Sequence, residues 1–337
     1  MSNEKVPCVC WVCHDGEVKT ETSSGKLMRG CACRGQDAGY AHLTCLVEAA
    51  LHDQDTWDRC PNCRQDFTGD VRLGLARTRW KGVLARNLPP EDWERLNAAD
   101  RFAQALLVCT GDHAGALPLF KEVLAVSRQV DGDDDVNTLI SINNLASLYQ
   151  KMGHHDLALP LFNEALAAQR RTLGKDAADT LRTVSNLAML LLRKEDFSLS
   201  LPLAEEALVA RRRTLGPSHV DTLESKHNLG LLRWHMAHGK YVSFHAADKH
   251  VGPCDLAELK LASTLLREVL DVRLQLLGDE HYLTAESRRA LEHSKRRIVE
   301  IHTSAENRTR EAGMSPLTKK RRCATKSGYR KIKKSIE

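Results

Sequence analysis

Two stretches of the chain align without a gap: T-L-I-S-I-N-N-L-A-S-L-Y from Thr138 and T-L-R-T-V-S-N-L-A-M-L-L from Thr180, a period of 42 residues. Each continues into a second motif, L-P-L-F-N-E-A-L-A-A-Q-R-R-T-L-G ending at Gly174 and L-P-L-A-E-E-A-L-V-A-R-R-R-T-L-G ending at Gly216. A period of this size means that each unit is one supersecondary element, unable to bury its apolar face alone, so that neighbours must stack. Both motifs place apolar residues at i, i+3, i+4 and i+7, the stripe of a packed helix pair. Small residues (Ala146, Ala158, Ala165; Ala188, Ser200, Ala207) stand where two helices would cross closely. An earlier copy, A-L-P-L-F-K-E-V-L from Ala116, closes at Gly132, again 42 residues before Gly174. A later one closes at Gly278, 62 residues after Gly216, so that unit carries a 20-residue insertion. The His, Gly and Pro content of Met236–Asp255 predicts that this insertion is a loop.

Composition agrees with helices. Aromatic residues make up only 5% of the 337, while Leu and Ala are abundant. No run of 18 apolar residues occurs, which argues against a membrane span. The opening Met-Ser-Asn-Glu-Lys lacks the apolar core of a secretory signal, so a reducing compartment is expected. The net charge of +5 is unevenly distributed: eleven Lys/Arg against two Glu from Arg308 onward give +9, leaving −4 for the preceding residues. The runs K-K-R-R at 319–322 and R-K-I-K-K at 330–334 read as a basic disordered tail over 306–337. Such a tail suits nuclear import or a non-specific nucleic-acid contact, and a solvated tail is the plainer alternative.

Eight of the eleven cysteines lie in the first 63 residues. In a reducing compartment this clustering points to metal before disulfides. Ligand pairs are evident: Cys10-x2-Cys13, then Cys31-x-Cys33, then His42-x2-Cys45, then Cys60-x2-Cys63. Seven thiols and one imidazole suffice for two closed tetrahedral zinc sites. Neither Cys8 nor His14 fits the pair spacing. A head of roughly 60 residues with few large apolar side chains cannot bury enough surface by itself, so metal would supply the missing free energy. Arg29, Arg34, Arg59 and Arg64 stand beside these ligand pairs and would offset the charge of metal-bound thiolates, with ordinary solvated surface as the plainer alternative.

The ligand order, with one residue between the third and fourth ligands and eight before the histidine, resembles the RING-CH (RING-variant) finger over about residues 8–67. A PHD finger, second in rank, normally keeps four or five residues before its histidine and an aromatic two before the seventh ligand. The resemblance implies a cross-brace: Cys10, Cys13, His42 and Cys45 on one zinc, Cys31, Cys33, Cys60 and Cys63 on the other. It also implies a ubiquitin ligase module whose structural zincs hold a platform for a ubiquitin-conjugating enzyme and its thioester-linked ubiquitin. Val12, Leu46, Pro61 and Arg64 match or supply platform positions, whereas Ala49 replaces the usual tryptophan four residues after Cys45.

The helical body resembles tetratricopeptide repeats, specifically the 42-residue form of kinesin light chains. That likeness implies about four units over 97–305 and a concave face for peptides or protein segments. Asn143, Asn144 and Asn186 are its candidate groove contacts, with capping or bridging between repeats as the alternative. Residues 68–96 read as a linker, with an amphipathic helix over Val71–Arg86 followed by Pro89-Pro90. The expectation is therefore a mainly α chain: a small two-zinc cross-brace RING-CH finger (1–67), a partly helical linker, an α-solenoid of tetratricopeptide repeats and a tail. Its expected role is that of a soluble cytoplasmic or nuclear ubiquitin ligase that recruits a protein substrate through the repeats and supplies no nucleophile of its own. A non-catalytic scaffold is the alternative.

Overall fold

The apolar stripes of the repeat motifs fold as antiparallel helix pairs. In a computed structural model, residues 10–13, 27–31, 40–244, 253–279 and 281–311 are described. They fall into two compact units, Met1–Thr172 and Leu173–Glu337. The first unit begins with a head of two short antiparallel strands, β1 (Leu27–Arg29) and β2 (Tyr40–His42), and helix α1 (Leu43–His52). It continues with α2 (Gly69–Ala85), α3 (Trp93–Ala105), α4 (His113–Val130), α5 (Val136–Lys151) and α6 (His155–Thr172). The second contains α7 (Ala178–Arg193), α8 (Phe197–Leu215), α9 (Val220–Phe244), α10 (Pro253–Leu277) and α11 (Tyr282–Glu311). Among the described residues no helix is long and apolar enough to cross a membrane.

The 42-residue period is visible at the ends of the helices. Gly132, Gly174, Gly216 and Gly278 all have φ between 85° and 88°, a left-handed backbone that ends each second helix where a side chain would be strained. Aspartates start several helices. Asp92, Asp112, Asp135 and Asp196 each accept hydrogen bonds from amides of the first turn, which otherwise lack partners. Replacing Asp92, whose carboxylate accepts from Glu94 N at 2.8 Å and Arg95 N at 3.2 Å, by alanine should cost about 1 kcal/mol. A urea titration of the two chains reads that difference directly, and equal midpoints would show that this cap contributes nothing.

Phe120 and Leu139, Ile142 and Leu148 are buried in the core of the first unit. Phe162 is also fully buried, and Tyr149 packs at the edge of that core. Leu192, Ala204, Leu229, Leu232 and Leu265 form a corresponding core in the second. Helix α3 passes into a π-helical turn, Leu106–Thr110, which ends at Gly111 with φ 67°. The extra residue per turn shifts the apolar stripe, so the 3.6-residue pattern lapses there.

Two expectations are corrected. The insertion does not begin as a loop, because α9 continues through Met236 to Phe244 and α10 starts at Pro253. Both helices run to 25 residues, against 16 for α7 and 19 for α8, so the insertion lengthens a helix pair. The last helix reaches Glu311, past residue 305, where the tail was expected to have begun. The polar residues of α9 that interrupt its stripe are paired. Arg233, nearly buried, bridges Glu205 of α8 at 2.7 Å and Glu258 of α10 at 2.9 Å, and Lys226 pairs with Glu268.

Candidate metal centre

The head places its cysteines by backbone contacts and not by a large core. β1 and β2 pair in the register Leu27↔His42, Met28↔Ala41 and Arg29↔Tyr40, which sets His42 at one end of the ladder and Cys31 beyond the other. The knuckle at 10–13 docks on β2 through Trp11 N, which donates to Tyr40 O at 3.0 Å. His42 N donates to Cys10 Sγ at 3.4 Å. Cys45 sits in the first turn of α1, directly after β2. A tight turn carries Cys60 and Cys63: Arg64 N donates to Cys60 O at 2.8 Å, and Cys60 N donates to Gln65 O at 2.9 Å.

The result is two clusters. Cys10, Cys13, His42 and Cys45 place one ligand atom each within 4.8 Å of one another, and so do Cys31, Cys60 and Cys63. Cys33, the expected fourth member of the second group, lies outside the described residues, as do Cys8, His14 and Arg34. His42 presents Nδ1 to the sulfurs, at 3.4 Å from Cys13 and 3.7 Å from Cys45. The first pair meets the third, and Cys31 meets the fourth.

The electrostatics of the first cluster favour a cation. Burial opposes ionisation of Cys10, but amides of Cys13, His42 and Val12 outweigh it and hold that thiol down to about 7. Burial pushes the Cys45 thiol up to about 12, and the neighbouring Cys13 and Cys10 sulfurs push the same way. Three thiolates so close together cannot all ionise unless a positive ion lies among them. Thiolate and imidazole donors in a closed set of four suit a borderline-soft divalent ion, so these groups could hold a metal.

The platform residues divide. Arg64 is exposed, and Val12 and Pro61 are half-buried. Leu46 is 1% exposed and lies in the head's core with Ala50, Trp57 and Leu75, so it offers no docking surface. Its period is the reason: positions 46 and 50 face inward on α1, and Leu51, at 66% exposure, faces out instead. Ala49 is half-buried.

The tetratricopeptide repeat model matches residues 95–171 and 176–240. These segments are tetratricopeptide repeats. The tetratricopeptide match lies wholly outside the cysteine-rich head. Among solved structures, a putative kinesin light chain from Podosopora anserina with nearly identical TPR-like repeats is 19% identical, with TM-score 0.42. The alignment covers 69% of this chain and 96% of that one. BtubC (BKLC) from P. vanneervenii is 18% identical, with TM-score 0.44, over 70% of this chain and 91% of that one. No curated protein sequence matches the chain.

Tetratricopeptide arrays bind proteins, and this chain carries such an interaction scaffold. Its expected groove residues are not equivalent. Asn143 is 1% exposed and faces the interior of the α5 pair, which removes it from any groove. Asn144 donates from Nδ2 to Asp100 Oδ1 at 2.8 Å, tying α5 to α3. Asn186 is half-buried on α7. The buried polar positions that the sequence did not reveal include Arg211 and Arg273. Each donates to a backbone carbonyl and a serine of the following helix, Asp221 O and Ser225 Oγ, or Leu283 O and Ser287 Oγ. Both arginines stand five residues before a helix-ending glycine, the register signal that marks them.

Proposed function

We propose that the chain is a ubiquitin ligase of the RING-CH type, whose head docks a ubiquitin-conjugating enzyme while the repeats hold the protein substrate. The observation that carries this reading is the interleaving of the ligand groups, Cys10 and Cys13 with His42 and Cys45, Cys31 with Cys60 and Cys63. Interleaved pairs make two metal sites share one small fold, as in the cross-brace of the finger that the spacing resembles. Cys10, Cys13, His42 and Cys45 would hold one Zn2+, and Cys31, Cys33, Cys60 and Cys63 the other. When bound, these ions serve structure and leave no open coordination position for chemistry.

The chain's own residues then act by placement. A substrate lysine attacks the conjugating enzyme's thioester, an isopeptide bond forms, and the enzyme's thiolate leaves. The chain contributes proximity and orientation to that step. Val12 and Pro61 flank the two clusters at the surface, and Leu51 supplies the apolar contact that Leu46 cannot. Arg64 directly follows the last ligand with φ 59°, a left-handed backbone that is costly for a non-glycine residue and is often retained at working positions. Its planar fork of donors suits a bridge between two carbonyl surfaces.

A second reading, a non-catalytic zinc-finger and tetratricopeptide scaffold, is favoured by one observation, Ala49 in place of the docking aromatic. Autoubiquitination across a panel of conjugating enzymes separates the two. The ligase reading expects chains of ubiquitin with at least one enzyme, lost in Cys60→Ser and reduced about tenfold or more in Arg64→Ala. Silence with every enzyme from a chain holding two Zn2+ would leave the scaffold standing.

A further inference from the structure

Helix α2 belongs to two cores. Val71 and Leu75 are 1% and 0% exposed in the core of the head, beside Trp57, Cys60 and Phe67. Leu73, between them in sequence, packs against the core of the first repeats, where Phe102, Leu106 and Phe120 lie. Helix geometry turns residue 73 away from 71 and 75 by roughly 200°, so α2 is sandwiched between the head and the repeats and not laid on one face.

The contacts on the head side reach the ligand-bearing segments themselves. A Cβ added at Gly30 would stand 2.5 Å from Val71 Cβ, so the backbone just before Cys31 is pressed against α2. A Cβ at Gly74 would stand 2.6 Å from Leu43 Cδ2, so α2 also lies against the residue after His42. Thr68 donates to Gly30 O from both its amide, at 2.7 Å, and its hydroxyl, at 3.2 Å. The buried Arg79 guanidinium lies 5.7 Å from the ring centroid of Trp57, three residues before Cys60. On the repeat side, Arg72 donates to Gln104 at 3.5 Å, and Arg101 of α3 pairs with Asp58, two residues before Cys60, at 3.6 Å.

We infer that metal binding by the head and the order of α2 and α3 are thermodynamically linked, so that metal occupancy holds or releases the first helix of the repeat array. This rests on the reading that the head binds Zn2+. Without metal the segments at 30–31, 42–45 and 57–63 lose the ligand bonds that place them. Val71, Leu75 and Arg79 then lose the surface that covers them, and α2 keeps only its repeat-side contacts. Linkage is reciprocal: loosening the repeat-side contact of α2 must weaken the hold on metal by the same factor. Chelation of the metal would then be felt at a protein-binding surface.

The test uses the full chain loaded with Zn2+, with metal content measured by elemental analysis alongside amide hydrogen exchange before and after chelation. Zinc release should lower protection across residues 69–105 by about tenfold or more while α7 and α8 keep theirs. Leu73→Ala, at a residue packed in the repeat core and not in that of the head, should give up Zn2+ to a competing chelating dye about tenfold more readily. If that variant fails to fold, the exchange measurement on the unaltered chain decides alone. Release of Zn2+ with unchanged protection over 69–105 overturns the linkage while sparing the metal reading, whereas a chain that takes up no Zn2+ overturns both.

Discussion

His42→Ala is expected to strip at least one metal ion from the head and to unfold most of it. His42 is 4% exposed, its Nδ1 faces Cys13 and Cys45, and its amide holds Cys10 Sγ, so it joins all three sulfurs of the first cluster. A structural zinc contributes about 10 kcal/mol or more to the folding of a small domain. A head of roughly 60 residues would have only about 3–9 kcal/mol of stability in all. The metal term is the larger, so losing one site should unfold the head and not merely weaken it. Elemental analysis should read at most one Zn2+ per chain where the parent reads two, and ubiquitin transfer should vanish. His42→Cys is the informative companion, because a fourth thiolate keeps the donor count and tetrahedral set. It should retain both ions and the fold, with the extra negative charge raising its sensitivity to acid. Two ions per chain in His42→Ala would sink the assignment of that imidazole as a ligand.

The structure departs from the sequence reading where one residue answers to two neighbours. The 42-residue period was legible because each helix pair repeats one pattern of burial, and the glycines at 132, 174 and 216 mark its ends. The ligand pairs were legible because metal coordination imposes short fixed spacings. Helix α2 was readable only as an amphipathic linker, since Val71 and Leu75 serve one core and Leu73 another, and Arg79 is buried over a tryptophan. Apolar periodicity reports one stripe, and a helix with two stripes looks like a weak version of one. The insertion misled for a related reason. Single Gly and His residues lower helix propensity by about 1 kcal/mol or less each, and packing of α9 on α10 outweighs that. Asn143 and Leu46 were assigned outward because local sequence carries no information about which flank of a helix its partner covers. The burial of Arg211 and Arg273 depends on serine and carbonyl partners 10 to 14 residues away, which local sequence does not display.

The second unit should lose stability as the pH falls from about 6.5 toward 4, and His227 is the group responsible. It is 2% exposed, and neither ring nitrogen has a hydrogen-bond partner among the described residues. Burial, and then the nearby Arg273 guanidinium, hold its pKa down to about 4 from 6.5. The sign follows from proton counting. Above 6.5 the ring is neutral whether the chain is folded or not, and the unit keeps its full stability. Between 6.5 and 4 the unfolded chain binds a proton that the folded one refuses, so acid favours unfolding. A difference of that size amounts to about 3 kcal/mol by pH 4, against a total of about 8–15 kcal/mol for a unit of this length. His281, also held below its usual value by burial and by Arg273, acts in the same direction. His227→Leu removes two unpartnered polar atoms as well as the titration, so it should be at least as stable as the parent at pH 7.5. Its advantage should then widen as the pH is lowered to 5, a window above the range in which ordinary carboxylates titrate. Urea midpoints of the two chains at pH 7.5, 6.5, 5.5 and 5.0 measure this, and parallel curves would mean that the buried imidazole has another source of compensation.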